Sequence, residues 1–379
     1  MTQANRPTRV LIVDDSAFMR KALSTIIESD AGLQLVGTAF NGRDGLEKID
    51  KLEPDVVTLD IEMPVLNGIG ALKELMASHS SPPAVLMCSS LTTAGSEMAL
   101  EALQHGAADV IAKPTTATGL HDSPDAKLML AKIKGLAANR SRLGRLHRAR
   151  ATHADATASA TPRPHKLAPK KAGLNIAAPS CIVIGSSTGG PPALESLLAQ
   201  LPAGYALPIV IAQHMPPMFT QSLAARLDAQ CDIRVVHAET GMPILPGTAY
   251  VAQGGRHLQI ARVGAGRTRL EVVAEPAEAL YKPSVNVLFE SAAKIFKRGA
   301  LGIMLTGMGD DGLEGSRALV AAGGTLIGQN EESCVVYGMP RAVHTADLVR
   351  LQSDPAGLGR IVRDLRTPEA NATKAAGAA

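Results

Sequence analysis

Tryptophan is missing from this chain of 379 residues, and five phenylalanines and four tyrosines are its whole aromatic content. That is too little for the stacking platforms that hold single-stranded nucleic acid, so no nucleic-acid partner is expected. Cysteine is scarce too. Cys88, Cys181, Cys231 and Cys334 stand far apart inside apolar runs, a spacing that fits no zinc site and reads as buried free thiols. No apolar run approaches the roughly 20 residues of a membrane span. The opening "MTQANRPTRV" lacks the charged-then-apolar pattern of a secretory signal. The expectation is a cytoplasmic protein that is not membrane-embedded.

A large net charge is lacking as well, but the formal +3 sums unlike parts. Residues 1–139 carry net −5, residues 140–171 net +8 and residues 172–379 net 0. The basic stretch, rich in Ala, Arg, Thr and Pro, has almost no large apolar residue after Leu146 and reads as a flexible linker over 140–175. The tail over 369–379 reads as disordered.

Two alternating regions flank the linker. Before it, "RVLIVDD", "LQLVGTAF", "DVVTLDI", "AVLMCSS" and "DVIAK" are strand candidates separated by amphipathic helices. Strands apolar on both faces imply a parallel sheet covered on each side, here a flavodoxin-like doubly wound α/β domain over 8–130. After it, "CIVIG", "PIVIAQ", "IRVVHA", "TAYVAQ", "ALGIMLT" and "GTLIG" are strands of a second, mostly parallel α/β domain over 176–368. Helices are expected near 191–200, 217–229, 286–297, 312–322 and 356–365, and "HLQIARVGAGRTRLEVVA" reads as an antiparallel hairpin.

In the first domain polar residues gather where the strands end: Asp14 and Asp15 after the first, Asp60 after the third, Ser89 after the fourth and Lys113 after the fifth. Clustered carboxylates repel unless a hard cation neutralises them, and Mg²⁺ suits oxygen ligands of this kind. A carboxylate beside Mg²⁺ can attack a phosphoryl group while the metal, a lysine and a hydroxyl take up the charge. These residues resemble the receiver domain of two-component response regulators. The resemblance implies that Asp60 is the phosphoacceptor and that Asp15, Asp60 and the backbone carbonyl of Glu62 bind Mg²⁺. It implies that Asp14 supports the pocket and that Ser89 and Lys113 sense the phosphoryl group. Asn67 stands where the family often has Asp.

In the second domain "GSSTGGPPALES" follows a strand. It lacks the lysine of a P-loop and the glycine spacing of a dinucleotide site, so phosphate binding is disfavoured. Gly185–Gly189 does match G-x-S-x-G, a turn that exposes its serine above a sheet. A serine needs an imidazole to take its proton and an acid to orient that imidazole. His214 ends the next strand in "QHMPP", and Asp310-Asp311 end a later one in "LTGMGDDG". The order Ser187, Asp311, His344 would be that of an α/β-hydrolase, but that fold has several strands before its serine, so Ser187, His214, Asp311 fits better. Backbone N–H groups near Thr188 and in the Gly307–Gly309 turn are candidate oxyanion donors. Residues 331–340 either close over substrate or simply pack, and Met308 and Met339 either face an aliphatic stem or belong to core and rim.

"GSSTGG", "QHMPP", "LTGMGDDG" and "QNEESCVVYGMP" together closely resemble the CheB-type chemotaxis protein-glutamate methylesterases. The resemblance implies hydrolysis of γ-glutamyl methyl esters on chemoreceptors, and often deamidation of receptor glutamines, by Ser187, His214 and Asp311; Thr188 and Met308 are candidate oxyanion or substrate contacts by their place in the two turns. It implies no cofactor for hydrolysis, Mg²⁺ for phosphorylation, and a chemotaxis histidine kinase as phosphodonor. Ser186 and Asp310 are departures, since many members have Ala and Asn there. A response regulator whose second domain only binds a partner is the alternative. A DNA-binding output is disfavoured because that domain is neutral and shows no helix-turn-helix.

Overall fold

The computed structural model describes residues 6–90, 92–113, 123–140, 144, 179–264 and 266–365. The expected linker over 140–175, apart from Arg140 and Gly144, and the expected tail lie outside the described residues.

The first domain is a five-stranded parallel sheet in the order β2-β1-β3-β4-β5. Its strands are β1 (Thr8–Val13), β2 (Leu33–Ala39), β3 (Val56–Asp60), β4 (Ala84–Ser89) and β5 (Asp109–Ala112), alternating with α1 (Ala17–Glu28), α2 (Gly42–Leu52), α3 (Gly68–Ser78), α4 (Thr93–Gln104) and α5 (Pro124–Ala138). Val, Ile and Leu fill the strands because helices cover both faces; β3 and β4 are buried throughout. Every helix starts on a side-chain cap: Ser16, Asn41, Asn67, Thr92 and Ser123 each accept a backbone N–H from three residues on. Asn67 is therefore a sound occupant of its position, since its Oδ1 accepts from Gly70 N at 2.8 Å.

The second domain is a seven-stranded sheet in the order β14-β13-β12-β6-β7-β9-β8, with every pairing parallel. The strands are β6 (Cys181–Ser186), β7 (Ile209–Gln213), β8 (Arg234–His237), β9 (Thr248–Val251), β12 (Ala300–Met304), β13 (Thr325–Gln329) and β14 (Gln352–Ser353). The helices are α6 (Gly190–Leu198), α7 (Pro217–Gln230), α8 (Val285–Phe296), α9 (Leu313–Ala321), α10 (Met339–Thr345) and α11 (Pro355–Arg363). β10 (His257–Val263) and β11 (Arg267–Val273) form the separate antiparallel hairpin. Two elements were not expected. β14 has two residues and α10 seven, both too short for periodicity to reveal.

The chain enters this sheet in the middle, at β6, builds outward through β7, and later returns to β6's other side as β12. The carboxyl ends of β12, β6 and β7 thus meet where the strand order reverses, the place where such sheets bind ligands. The start of α8 is pressed onto this edge. A Cβ added to Gly185 would lie 2.4 Å from Val285 Cγ1. Gly185→Ala should therefore cost about 1–3 kcal/mol by overpacking. Its drop in thermal midpoint should shrink when Val285→Ala is made in the same chain, a coupling that a double-mutant cycle of melting curves measures.

Candidate active site

Adjacent hydroxyls end β6, and the structure separates their roles. Ser186 Oγ donates to Gln213 Oε1 at 2.6 Å, which braces β6 against β7. Gln213 Nε2 in turn donates to the carbonyls of Ser187 and His214, so this amide pins both turns. Ser187 lies beyond the brace. Its N–H donates to Thr306 O at 3.0 Å, and the turn after β12 is packed against it, with 2.8 Å between Ser187 Cβ and a Cβ built on Gly307. The following glycines are required by space: a Cβ on Gly190 would meet Gln213 Oε1 at 1.9 Å, and one on Gly189, at φ 76°, would meet Val335.

Asp311 and His214 are brought together. His214 Nε2 and Asp311 Oδ2 are 2.7 Å apart, and both residues are buried. The carboxylate also accepts from Ser284 Oγ, Val285 N and Asn286 N, so it sits on the positive end of α8. Asn286 answers by accepting from Gly312 N and Gly315 N, which ties the start of α9 to the start of α8. Burial pushes the Asp311 carboxyl up, but the hydrogen bond and charge of His214 and the N–H groups of Val285 and Asn286 outweigh it and hold the group below its usual range. An ionised carboxylate only accepts, so Nε2 carries the imidazole proton. In the neutral imidazole Nδ1 then carries the lone pair; it is buried and without a hydrogen-bond partner among the described residues. It does not bond the Ser187 hydroxyl in this arrangement; such bonds are often loose before substrate binds. Asp310 is exposed, and its side chain does not hold His214. His344 is exposed on α10 and is not Asp311's partner.

Several residues of the site carry no mark in the sequence. Tyr281 lies flat against His214, with ring centroids 4.2 Å apart and planes 2° from parallel. Gln213, Ser284 and Asn286 hold the parts in place. Of the candidate oxyanion donors, the Gly307 N–H is already taken by Val336 O at 3.0 Å. Within residues 331–340, Val336 and Met339 are buried, Glu331 and Glu332 are exposed, and Tyr337 bridges Gly307.

The first domain lies over this edge. Thr188 Oγ1 donates to Asp109 of β5, which also pairs with Lys132 of α5. Met308 is packed under Gly135 of α5, and Val335 and Val336 join the core beneath that helix. Further along, Ser96 of α4 and Ser222 of α7 share a hydrogen bond of 2.7 Å.

At the open end of the first sheet, one carboxylate oxygen each from Asp14, Asp15 and Asp60 lie within 4.8 Å of one another. Lys113 Nζ is 2.6 Å from Asp60 Oδ2 and 2.9 Å from Asp14 Oδ2. Burial pushes the Asp60 carboxyl up, and Asp14 adds to this, against the pull of Lys113; the net shift is upward. Burial pulls the Lys113 ammonium down, but hydrogen bonds and charge from Asp60 and Asp14 carry it above its usual value. Three carboxylates against one ammonium leave excess negative charge and oxygen donors, the set that a hard divalent cation takes. A cavity of about 330 Å³ opens here between Asp15, Asp60, Glu62, Ser89 and Lys113. The Ser89 hydroxyl donates to the carbonyls of Gly95 at 3.0 Å and Ser90 at 3.2 Å.

Comparison with known proteins agrees with both halves. The CheB methylesterase family profile matches residues 182–361, and that of the response regulator receiver domain matches residues 10–123. A protein-glutamate methylesterase/protein-glutamine glutaminase of Oleidesulfovibrio alaskensis is 48% identical over 90% of this chain and 94% of its own. This chain belongs to the CheB methylesterase family. A second member, from Lawsonia intracellularis, is 45% identical over 89% of this chain and 93% of its own. The crystal structure of the Thermotoga maritima CheB methylesterase catalytic domain shares 36% identity, covers 50% of this chain and 99% of that one, and has a TM-score of 0.48. In this CheB chain Asp311→Asn should lower kcat by roughly 10³–10⁴, since a neutral amide no longer dictates the imidazole tautomer. Ser186→Ala should stay within about tenfold of wild type because it breaks a brace only; methanol release measures both. Asp311 should stabilise the fold fully above its ordinary pKa of 3.8 and lose that contribution as pH falls through its lower folded value. Acid unfolding of Asp311→Asn should lack this component.

Proposed function

We propose that this chain is a phosphorylation-regulated serine esterase that hydrolyses γ-glutamyl methyl esters on chemoreceptors and deamidates receptor glutamines in the cytoplasm. The observation that carries the reading is a buried imidazole with Nε2 bound to an ionised Asp311 and Nδ1 open, at the tips of three adjacent strands. The names of the relatives supply the substrate class. Among the described residues no helix is long and apolar enough to cross a membrane.

In the proposed reaction Ser187 Oγ gives its proton to His214 Nδ1 and attacks the ester carbonyl carbon. Asp311 holds the imidazolium through Nε2. The N–H of Thr188 and the turn at Met308 face the oxyanion. The tetrahedral intermediate collapses as His214 protonates the departing methoxide, releasing methanol and leaving an acyl-serine. Water, deprotonated by His214, then frees the glutamate and restores Ser187. With a glutamine side chain the leaving group is ammonia and the steps are otherwise the same.

The receiver supplies control. Asp60 is proposed to accept the phosphoryl group from a histidine kinase. Asp15, Asp60 and the Glu62 carbonyl would hold Mg²⁺, which neutralises charge on the phosphoryl oxygens. Asp14 keeps the pocket acidic, and Lys113 pairs with the new phosphate. Ser89 is poised to exchange its bond to Gly95 O for one to the phosphoryl group. Gly95 adjoins Ser96, whose hydroxyl meets Ser222 of the esterase domain, so that exchange pulls on the contact between domains. In the unphosphorylated arrangement Asp109 and α5 cover the rim at Thr188 and Met308. Ser96→Arg puts a cation that needs water against Ser222, at a cost of several kcal/mol if the domains stay closed. It should raise the basal rate of methanol release at least about fivefold. Asp60→Asn should keep the low basal rate with a small phosphodonor and Mg²⁺ present. Wild-type basal rates in Ser96→Arg would refute control by domain contact.

A further inference from the structure

A base held by one hydrogen bond can still rotate. His214 is held at Nε2 by Asp311, and its Nδ1 has no partner among the described residues to fix the tilt of the ring plane about that hydrogen bond. What lies against the ring is Tyr281, 4.2 Å away and parallel to within 2°. A tilt of the imidazole in that direction would drive its atoms into the phenol face.

The platform is itself anchored. Tyr281 lies in a segment closed at its base by a second buried imidazole, His257. Ser284 N donates to His257 Nδ1 at 3.1 Å, which leaves the proton on Nε2, directed at Pro276 O at 3.0 Å. Burial pulls His257 below its usual pKa, against the Pro276 carbonyl, which keeps this neutral form in place. Lys282 O accepts from Gly255 N at 3.0 Å. Ser284, three residues after Tyr281, also donates its hydroxyl to Asp311. One short segment therefore carries the aromatic face and part of the cradle of the carboxylate.

We infer that Tyr281 is a positioning residue for the catalytic base: its ring sets the imidazole plane and with it the direction in which Nδ1 is presented to an incoming proton. Its electron-rich face also favours the imidazolium that forms when Nδ1 takes the serine proton. The phenol hydroxyl has no part in this, so phenylalanine serves as well. In a chain with nine aromatic residues, one is placed flat on the base.

The inference rests on the hydrolytic reading, and the test separates the two. Full-length protein with a small phosphodonor and Mg²⁺ is assayed by methanol release as wild type, Tyr281→Phe, Tyr281→Leu and Ser187→Ala, with ¹³C-labelled histidine reporting the His214 ring resonances. Tyr281→Leu should lose about tenfold in kcat with KM within about twofold. The upfield ring-current shift of His214 should vanish in the leucine variant and persist with full turnover in Tyr281→Phe. Equal thermal midpoints exclude misfolding, and the phenylalanine variant remains informative if leucine does not fold. Wild-type kcat in Tyr281→Leu beside an inactive Ser187→Ala would overturn the positioning role alone. A rise in KM at unchanged kcat, or a phenylalanine variant as impaired as leucine, would overturn it too. Normal turnover in Ser187→Ala would overturn the hydrolytic reading itself.

Discussion

A carboxylate removed from water stays charged only if donors replace the water, and the esterase site depends on that condition at Asp311. One imidazole N–H, one hydroxyl and two backbone N–H groups at the start of α8 meet it. Because the group is ionised, the proton of His214 resides on Nε2. Because Nε2 is occupied, Nδ1 is the nitrogen left without a partner among the described residues. A neutral Asp311 would leave the tautomer undecided.

The surrounding structure is arranged to keep that carboxylate where it is. Asn286 joins the start of α8 to the start of α9, Gly185 lets Val285 approach β6, and His257 closes the segment that brings Ser284 and Tyr281. The receiver pocket presents the opposite case. Asp60 is buried beside Asp14, its acidity is weakened by burial, and one lysine does not balance the cluster. The first arrangement is complete without further charge. The second keeps an excess of negative charge that favours a cation. The two domains, not the two sites, meet at Thr188, where the residue after the serine is held by Asp109 at the start of the receiver's β5.

Much of this was legible in linear form. Apolar runs ending in polar turns located the strands of both sheets, and the hairpin followed from its alternation and glycine turn. Short elements escaped, because the two residues of β14 and the seven of α10 span too few periods to display a repeating pattern. The choice between adjacent residues was open to chemistry only in three dimensions. Ser186 turns inward to Gln213 while Ser187 does not, and Asp310 is exposed while Asp311 is buried on a helix end. His344, eligible by chain order, stands on an exposed helix away from the acid.

By itself the sequence determined which residue types end which strands, since strand, helix and turn are encoded locally by periodicity, branching and glycine. It also placed an acid cluster on one sheet and a serine, an imidazole and a carboxylate on the other. Only the tertiary structure decided which nitrogen of His214 is open, that Tyr281 covers its ring, and that the receiver rests on the turn beside Ser187. These are relations between segments tens of residues apart, set by helix ends, close approaches and buried hydrogen bonds that no local pattern records.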